Sequence, residues 1–337
     1  MRYTFEKELG DVMKSVNIVG TGKALPKNEV TASMVDEMCH FEEGRTFKIT
    51  GLEKRHFLKD ESAESLMGEA IEQALARANM QVDDIDCIIS AFAVSQQAIP
   101  YNGAWVHGIL KPTRNIASFD INMTCLSALR AFDVASNLLE SYPTILIVTC
   151  DIASVGLDWS DIRTAGIFSD GASAMILKKS ERGGIVVSNF ETHSSGFDYC
   201  QIRGAGVKIP PSTYQGDYKE VGYFEMNGKK LFKLSSKILP TFIETTLASK
   251  GLTLDDIDWI VPHQASQASL SHIVRMLKVD KSKLIDIFRN HGNQIASSIP
   301  IALHELFMTK EVKSGQKVML IGTSAGVGLG LVVWEVP

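Results

Sequence analysis

Apolar positions recur along the chain in two rhythms. Over 61–79, Leu66, Ala70, Ile71, Ala74, Leu75 and Ala78 fall at i, i+4 and i+5, i+8 spacings, the stripe of an amphipathic helix. Directly afterwards, Cys87-Ile-Ile-Ser-Ala-Phe-Ala93 is a short continuous apolar run, the mark of a strand buried on both faces. Similar runs cover 116–121, 144–149, 172–177, 184–188, 259–261, 318–321 and 329–335, and helical patterns separate most of them. Such alternation predicts an α/β fold with mostly buried sheets. The first run, 16–19, ends in Gly20-Thr-Gly22, which reads as strand followed by turn. A dinucleotide loop needs a third glycine in this context, and here Leu25-Pro26 follows instead.

The pattern also repeats itself. Asp83-Asp-Ile-Asp-Cys-Ile-Ile is echoed by Asp255-Asp-Ile-Asp-Trp-Ile-Val. Phe119-Asp-Ile-Asn-Met-Thr-Cys125, followed by a helix rich in small residues, is echoed by Ile287-Phe-Arg-Asn-His-Gly-Asn293, followed by a helix over 296–307. Ile145-Leu-Ile-Val-Thr is echoed by Lys317-Val-Met-Leu-Ile-Gly. Three echoes in one order predict a duplicated α/β unit, with halves 1–182 and 183–337. On this alignment Cys125 and Asn293 occupy equivalent strand-to-helix turns, and His263 ends the strand equivalent to the one that starts at Cys87.

Composition narrows the function classes. With 34 basic and 39 acidic residues the net charge is −5, without the concentrated basic excess of a nucleic-acid binder. The 45% hydrophobic and 22% charged fractions suit a soluble globular protein with a large core. The first twenty residues read as neither signal peptide nor membrane span, and no stretch reaches ~18 uninterrupted apolar residues. A cytoplasmic location is the expectation. The five cysteines, at 39, 87, 125, 150 and 200, are widely spaced without a CxxC pair, which suggests neither a disulfide framework nor a zinc site.

Judged singly, Cys125 stands at a strand-to-helix junction, where helix N–H groups and the dipole favour the thiolate. His263 follows Trp259-Ile-Val-Pro262 at the end of a buried strand, where ligands and catalytic groups of α/β sheets collect. Asn293 lies in Asn290-His-Gly-Asn293, a turn. Each has a plainer explanation: a small buried hydrophobe, a core histidine, a turn asparagine. What favours chemistry is their convergence on one place. His291, next to the turn, is expected to point elsewhere. Cys87 and Cys150 lie within strand runs and read as packing.

These residues carry a family resemblance that spans the chain from about Val16 onward. The chain resembles the thiolase superfamily, and within it the β-ketoacyl-acyl-carrier-protein synthase III group. The most specific pieces are Phe119-Asp-Ile-Asn-Met-Thr-Cys125, Val261-Pro-His-Gln-Ala265 and His291-Gly-Asn293. Lesser matches are Thr50-Gly-Leu-Glu-Lys-Arg-His56, Asp170-Gly-Ala172, Met226-Asn-Gly228 with Phe232-Lys233, and the glycine-rich stretch 322–330.

The resemblance implies a thiolase-like α/β fold, two halves with buried mixed sheets in αβαβα layers. It implies a ping-pong, decarboxylative Claisen condensation of an acyl thioester with malonyl-acyl-carrier protein. Cys125 would carry the acyl group, the N–H groups of Cys125 and Gly326 would form the oxyanion hole, and His263 and Asn293 would hold the enolate. No cofactor and no metal are implied; acyl-coenzyme A and acyl-carrier protein are the partners, and the enzyme would be a homodimer. Ile99, Ser266, Lys233 and Arg275 are the candidate substrate-binding residues. Lys233 and Arg275, with Lys278, Lys281 and Lys283, would form a basic patch for an acidic carrier protein.

The chain departs from the group at several positions. Arg45 stands where a tryptophan is common, an expected arginine is shifted to Arg163, and Ala268 replaces another. Ile99 takes the place of a phenylalanine, and the glycine loop reads Gly322-Thr-Ser-Ala-Gly326. These departures point to an acyl donor longer or more branched than acetyl. Three rivals remain. A thiolase-fold acyltransferase would use an oxygen or nitrogen acceptor, or condense units of secondary metabolism. A silent partner subunit would not need all three polar residues. A papain-like hydrolase shares the Cys, His, Asn order but lacks a Cys-Gly-Ser-Cys-Trp type flank and any account of the repeat.

Overall fold

The glycines of the first run do not turn the chain. In the computed structural model, which describes residues 13–337 except 205 and 211, strand β1 continues through them, over Asn17–Ala24. A Cβ on Gly22 would lie 1.9 Å from the Ala70 carbonyl oxygen, and one on Gly20 2.2 Å from that of Ala74. Both glycines therefore serve the close seating of helix α1 (Ala63–Ala78) on the strand, not a turn. The helix starts at Ser62, whose Oγ accepts the Ser65 N–H, and stops at Asn79, at φ 53°. The N-terminal residues 1–12, part of the segment read as neither signal nor span, lie outside the described residues.

The chain continues through β2 (Cys87–Ser90), α2 (Asn102–Leu110), β3 (Ala117–Asp120), α3 (Ser127–Leu138), β4 (Thr144–Asp151) and β5 (Gly171–Lys178). These strands form one sheet in the order β1-β5-β4-β2-β3, antiparallel on the β1 side and parallel among β4, β2 and β3. A second series follows: β6 (Gly184–Thr192), α4 (Gly228–Ala248), β7 (Trp259–Pro262), α5 (Gln267–Leu277), α6 (Ser298–Thr309), β8 (Lys317–Ser324) and β9 (Gly328–Glu335). Its sheet runs β6-β9-β8-β7, again antiparallel and then parallel, and an isolated bridge from Ile260 to Leu284 replaces a fifth strand.

The echo at Asp83 and Asp255 is structural. Each opens on a 3₁₀ turn with a reciprocal cap, and each ends on an aspartate, Asp86 or Asp258, that clamps the start of the neighbouring parallel strand. Thr144 N–H donates to Asp86 Oδ2 at 2.9 Å, and Lys317 N–H to Asp258 Oδ2 at 2.8 Å.

Side chains alternate across the strands and define the layers. Ile145, Ile147, Val318 and Leu320 face a common interior with Ala128, Ala131 and Ala135 of α3 and Ala302, Leu303 and Leu306 of α6. Leu146 and Val148 face outward onto Leu66, Met67, Ala70, Ile71 and Ala74 of α1. Met319 and Ile321 face outward onto Leu239, Phe242 and Ile243 of α4. The layers are thus α1/α2, sheet, α3/α6, sheet, α4/α5, the expected αβαβα order. Small residues on α3 let two sheets share one central helix layer.

Candidate active site

Cys125 sits in a single 3₁₀ turn, Thr124–Leu126, that joins β3 to α3. Thr124 holds φ 48°, a left-handed conformation that costs a β-branched residue about 1–2 kcal/mol. Side chains fix the turn. Asn122 Oδ1 accepts the Thr124 N–H at 2.9 Å, and Ser127 Oγ accepts the Met123 N–H at 2.9 Å. The turn before α6 is its counterpart: Ile295 has φ 52°, and Asn293 Oδ1 accepts the Ile295 N–H at 2.9 Å. Asn293 therefore matches Asn122, and Ala296 matches Cys125. The equivalence of Cys125 with Asn293 expected from the letters is three residues out of register, because the left-handed residue sets the turn.

Convergence nevertheless occurs, through packing. The Cys125 turn touches both β8 and the 295–297 turn. A Cβ on Gly322 of β8 would meet His263 Cβ at 2.7 Å and Leu126 Cδ2 at 2.9 Å, so only a glycine separates His263 from the residue after Cys125. Asn293 Nδ2 donates to the Ala265 carbonyl at 3.3 Å, tying it to the loop that follows His263. Gln264 fixes that loop, since its amide donates to the carbonyls of Pro262 and Ile285 and accepts the Ile287 N–H.

The electrostatics differ from the sequence expectation at the thiol. Burial pushes Cys125 up to about 12, and Cys200 and Asp151 add to the effect; the amides of Ala325 and of Cys125 itself oppose it. Desolvation outweighs the N–H groups, so the resting sulfur is a thiol and not a thiolate. The loop amide facing the sulfur is that of Ala325, one residue before the expected Gly326, which itself takes φ 95°. Iodoacetamide is accordingly expected to alkylate Cys125 slowly at neutral pH and faster with rising pH. Fast, pH-independent alkylation followed by peptide mass mapping would contradict this.

His263 is 4% exposed, and burial pushes its imidazole down to about 4, so it is neutral at physiological pH. Its Nδ1 lies 2.6 Å from Ser298 Oγ. His291 turns away as expected, with Nδ1 against the Ile287 carbonyl at 3.1 Å and Nε2 3.5 Å from Lys23 Nζ. Two residues escaped the sequence reading. Asp151 ends the wholly buried strand β4, and an acid closing such an apolar run was the available signal. Ser298, fully buried, opens α6.

Two family models match the chain: 3-oxoacyl-[acyl-carrier-protein] synthase III over residues 119–196, and its C-terminal counterpart over 247–336. A β-ketoacyl-[acyl-carrier-protein] synthase III of Clostridium perfringens is 31% identical over 323 residues, 94% of this chain and 98% of that protein. The chain belongs to the synthase III family. A second synthase III, from Neisseria gonorrhoeae, is 29% identical over 326 residues, 96% of this chain and all of that protein. Among solved structures, the synthase III of Aquifex aeolicus superposes with TM-score 0.85 at 26% identity, over 95% of this chain and 99% of that one. Xanthomonas campestris OleA shares the fold, with TM-score 0.83 at 18% identity over 97% and 100% of the two chains.

Not every candidate of this synthase III chain gathers at Cys125. Ile99 is 84% exposed, on a segment with exposed Val94 and Tyr101. Ser266 caps α5, accepting the Ser269 N–H at 3.2 Å. Lys233 and Arg275 are exposed on the neighbouring helices α4 and α5, whereas Lys283 Nζ is engaged by the Ile257 carbonyl at 2.7 Å. A groove of about 570 Å³, lined by Asp161, Arg163, Asp198, Tyr199, Glu225 and Lys229 among others, adjoins Cys200, which pairs with the lining residue Met226. Among the described residues, no group of three His, Cys, Asp or Glu side chains could hold a metal ion, and no helix is long and apolar enough to cross a membrane.

Proposed function

We propose that this synthase III family member condenses an acyl thioester with malonyl-acyl-carrier protein, with Cys125, His263 and Asn293 as its catalytic residues. The observation that carries the assignment is the meeting of the Cys125 turn, His263 and the Asn293 loop across Gly322 and Ala265. In the first half-reaction Cys125 Sγ attacks the thioester carbonyl. The new carbon–sulfur bond replaces the one to coenzyme A, which leaves as the thiol with the proton that Cys125 gives up. The N–H groups of Cys125 and Ala325 hold the oxyanion, Ala325 taking the part first expected of Gly326.

In the second half-reaction the malonyl carbon–carboxyl bond breaks, carbon dioxide leaves and its electron pair becomes the enolate. Neutral donors, His263 Nε2–H and Asn293 Nδ2–H, hold the enolate oxygen without needing a charge in a buried site. The nucleophilic carbon then attacks the acyl carbonyl, the bond from that carbon to Cys125 Sγ breaks, and the departing thiolate takes up one proton from solvent to restore the resting thiol. Two halves, 1–182 and 183–337, contribute the nucleophile and the two donors.

The groove beside Cys200 is the proposed entry for the thioester arm. Exposed Lys229, Lys233 and Lys237, at i, i+4 and i+8 on α4, with Arg275, suit an acidic carrier protein. Exposed Val94, Ile99 and Tyr101 suit burial against a second copy, and a cytoplasmic location is in keeping with such partners. No cofactor takes part in this scheme.

Incubation with acyl-coenzyme A thioesters from acetyl to long chain, read by intact mass, tests the assignment and the acyl class together. A gain of one acyl group that malonyl-acyl-carrier protein discharges with release of carbon dioxide is expected, with donors longer or more branched than acetyl preferred. An exclusive preference for acetyl overturns the chain-length expectation. Stable acylation that malonyl cannot discharge overturns condensation in favour of transfer to another acceptor.

A further inference from the structure

We infer that Ser298 is a positioning residue that sets the tautomer of His263, so that its Nε2 carries the proton offered to the enolate. The inference rests on the condensing role proposed for His263. Ser298 Oγ lies 2.6 Å from His263 Nδ1, and both residues are buried, Ser298 completely. The same oxygen receives a long contact, 3.4 Å, from the Gln264 N–H. A hydroxyl has one proton to give and lone pairs to receive.

If Nδ1 carried the ring proton, Oγ would face two donors, and its own proton would be left without an acceptor among its hydrogen bonds in the described residues. If Nδ1 is bare, the hydroxyl proton goes to it, Gln264 N–H goes to the lone pair, and every group is matched. Buried polar groups adopt the matched arrangement. The ring proton then resides on Nε2, the nitrogen that does not face Ser298. Because the ring is neutral, one nitrogen only can donate, and Ser298 chooses it.

The choice matters to one half-reaction. Thioester capture by Cys125 uses the amides of Cys125 and Ala325 and is indifferent to the His263 tautomer. Decarboxylation requires a donor at the enolate. Ser298→Ala removes the bias without removing the imidazole, so its effect should fall short of the hundred- to thousandfold loss typical of deleting such a donor outright.

The test uses the intact wild-type protein first. ¹⁵N spectra of histidine-labelled protein, with the His263 signals identified by their absence in His263→Ala, are expected to show bare Nδ1 and protonated Nε2. A protonated Nδ1 overturns the inference whatever the variants do. Then Ser298→Ala is expected to acylate at the wild-type rate but to discharge with malonyl-acyl-carrier protein about tenfold to a hundredfold more slowly. Ser298→Thr, which keeps the hydroxyl, is expected to restore discharge. Equal slowing of both half-reactions, or wild-type discharge by Ser298→Ala, overturns it. Failure of wild-type protein to acylate at all would instead strike the condensing role itself.

Discussion

Alanine at Cys125 is expected to abolish acyl uptake entirely, while alanine at His263 or Asn293 leaves uptake intact and slows carbon–carbon bond formation. The two outcomes separate because the proposed scheme assigns the two half-reactions to different residues. Cys125 is the only proposed nucleophile, and Cys87 and Cys150 are buried inside strands. His263 and Asn293 make no covalent bond in the scheme. Each supplies a hydrogen bond that matters only when charge develops on the enolate, worth roughly a hundred- to a thousandfold, about 2.7–4 kcal/mol. Intact mass after acyl-coenzyme A treatment reads the first half-reaction, and carbon dioxide release from malonyl-acyl-carrier protein reads the second. Acyl uptake by Cys125→Ala, or loss of uptake in Asn293→Ala, would contradict the division.

The second large effect is on stability, at Asp151. Its Oδ1 accepts the Ala93 N–H at 2.9 Å, and its Oδ2 accepts the N–H groups of Ala296 at 3.0 Å and Ser297 at 3.2 Å, with Ser297 Oγ at 3.3 Å. One carboxylate thus ties the end of β4 to the turn that follows Asn293. Asp151→Asn turns one oxygen into an N–H donor facing other donors, at about 1–3 kcal/mol for each donor stranded. A lowered melting temperature is expected, and an unchanged one would refute the clamp.

Protonation adds a sign that can be checked. Burial pushes Asp151 up to about 7, against the opposing N–H groups of Ala93, Val94 and Ser297. A carboxyl raised above its unfolded value binds its proton more tightly when folded, so its contribution to stability falls as pH climbs from about 4 to 7 and is flat above. The melting gap between wild type and Asp151→Asn should therefore be wider at about pH 5 than at about pH 8.

Much of this was legible in the letters because sheets and helices advertise themselves by period. Strands β4, β5, β8 and β9 fall on the apolar runs, and α1 on its stripe. Strand ends and turns nominated Cys125, His263 and Asn293, whose segments the fold brings close together. What escaped depended on backbone conformation and three-dimensional neighbours. Left-handed Thr124 and Ile295 are β-branched residues, the last that a sequence would nominate, so the register of the duplicated turn could not be read. Gly20 and Gly22 looked like a turn because the helix carbonyls that need their missing side chains lie some fifty residues on in the chain. The state of the thiol depended on its desolvation by three-dimensional neighbours, a property of the packed whole. Ser298 was hidden because an isolated serine at a helix start is ordinarily a cap.

The shared central layer has a consequence for how the molecule can come apart. Helices α3 and α6 meet in a single apolar cluster that draws on both sheets, from Ile145 and Met175 on one side to Leu320 and Trp334 on the other. Trp334 Nε1 even donates to the carbonyl of Val16, joining the last strand of the chain to the residue before its first, at 3.1 Å. A gene fragment ending near the midpoint would translate into a sheet with one face bare. The two halves are therefore expected to melt together, and two separated transitions in calorimetry would contradict this.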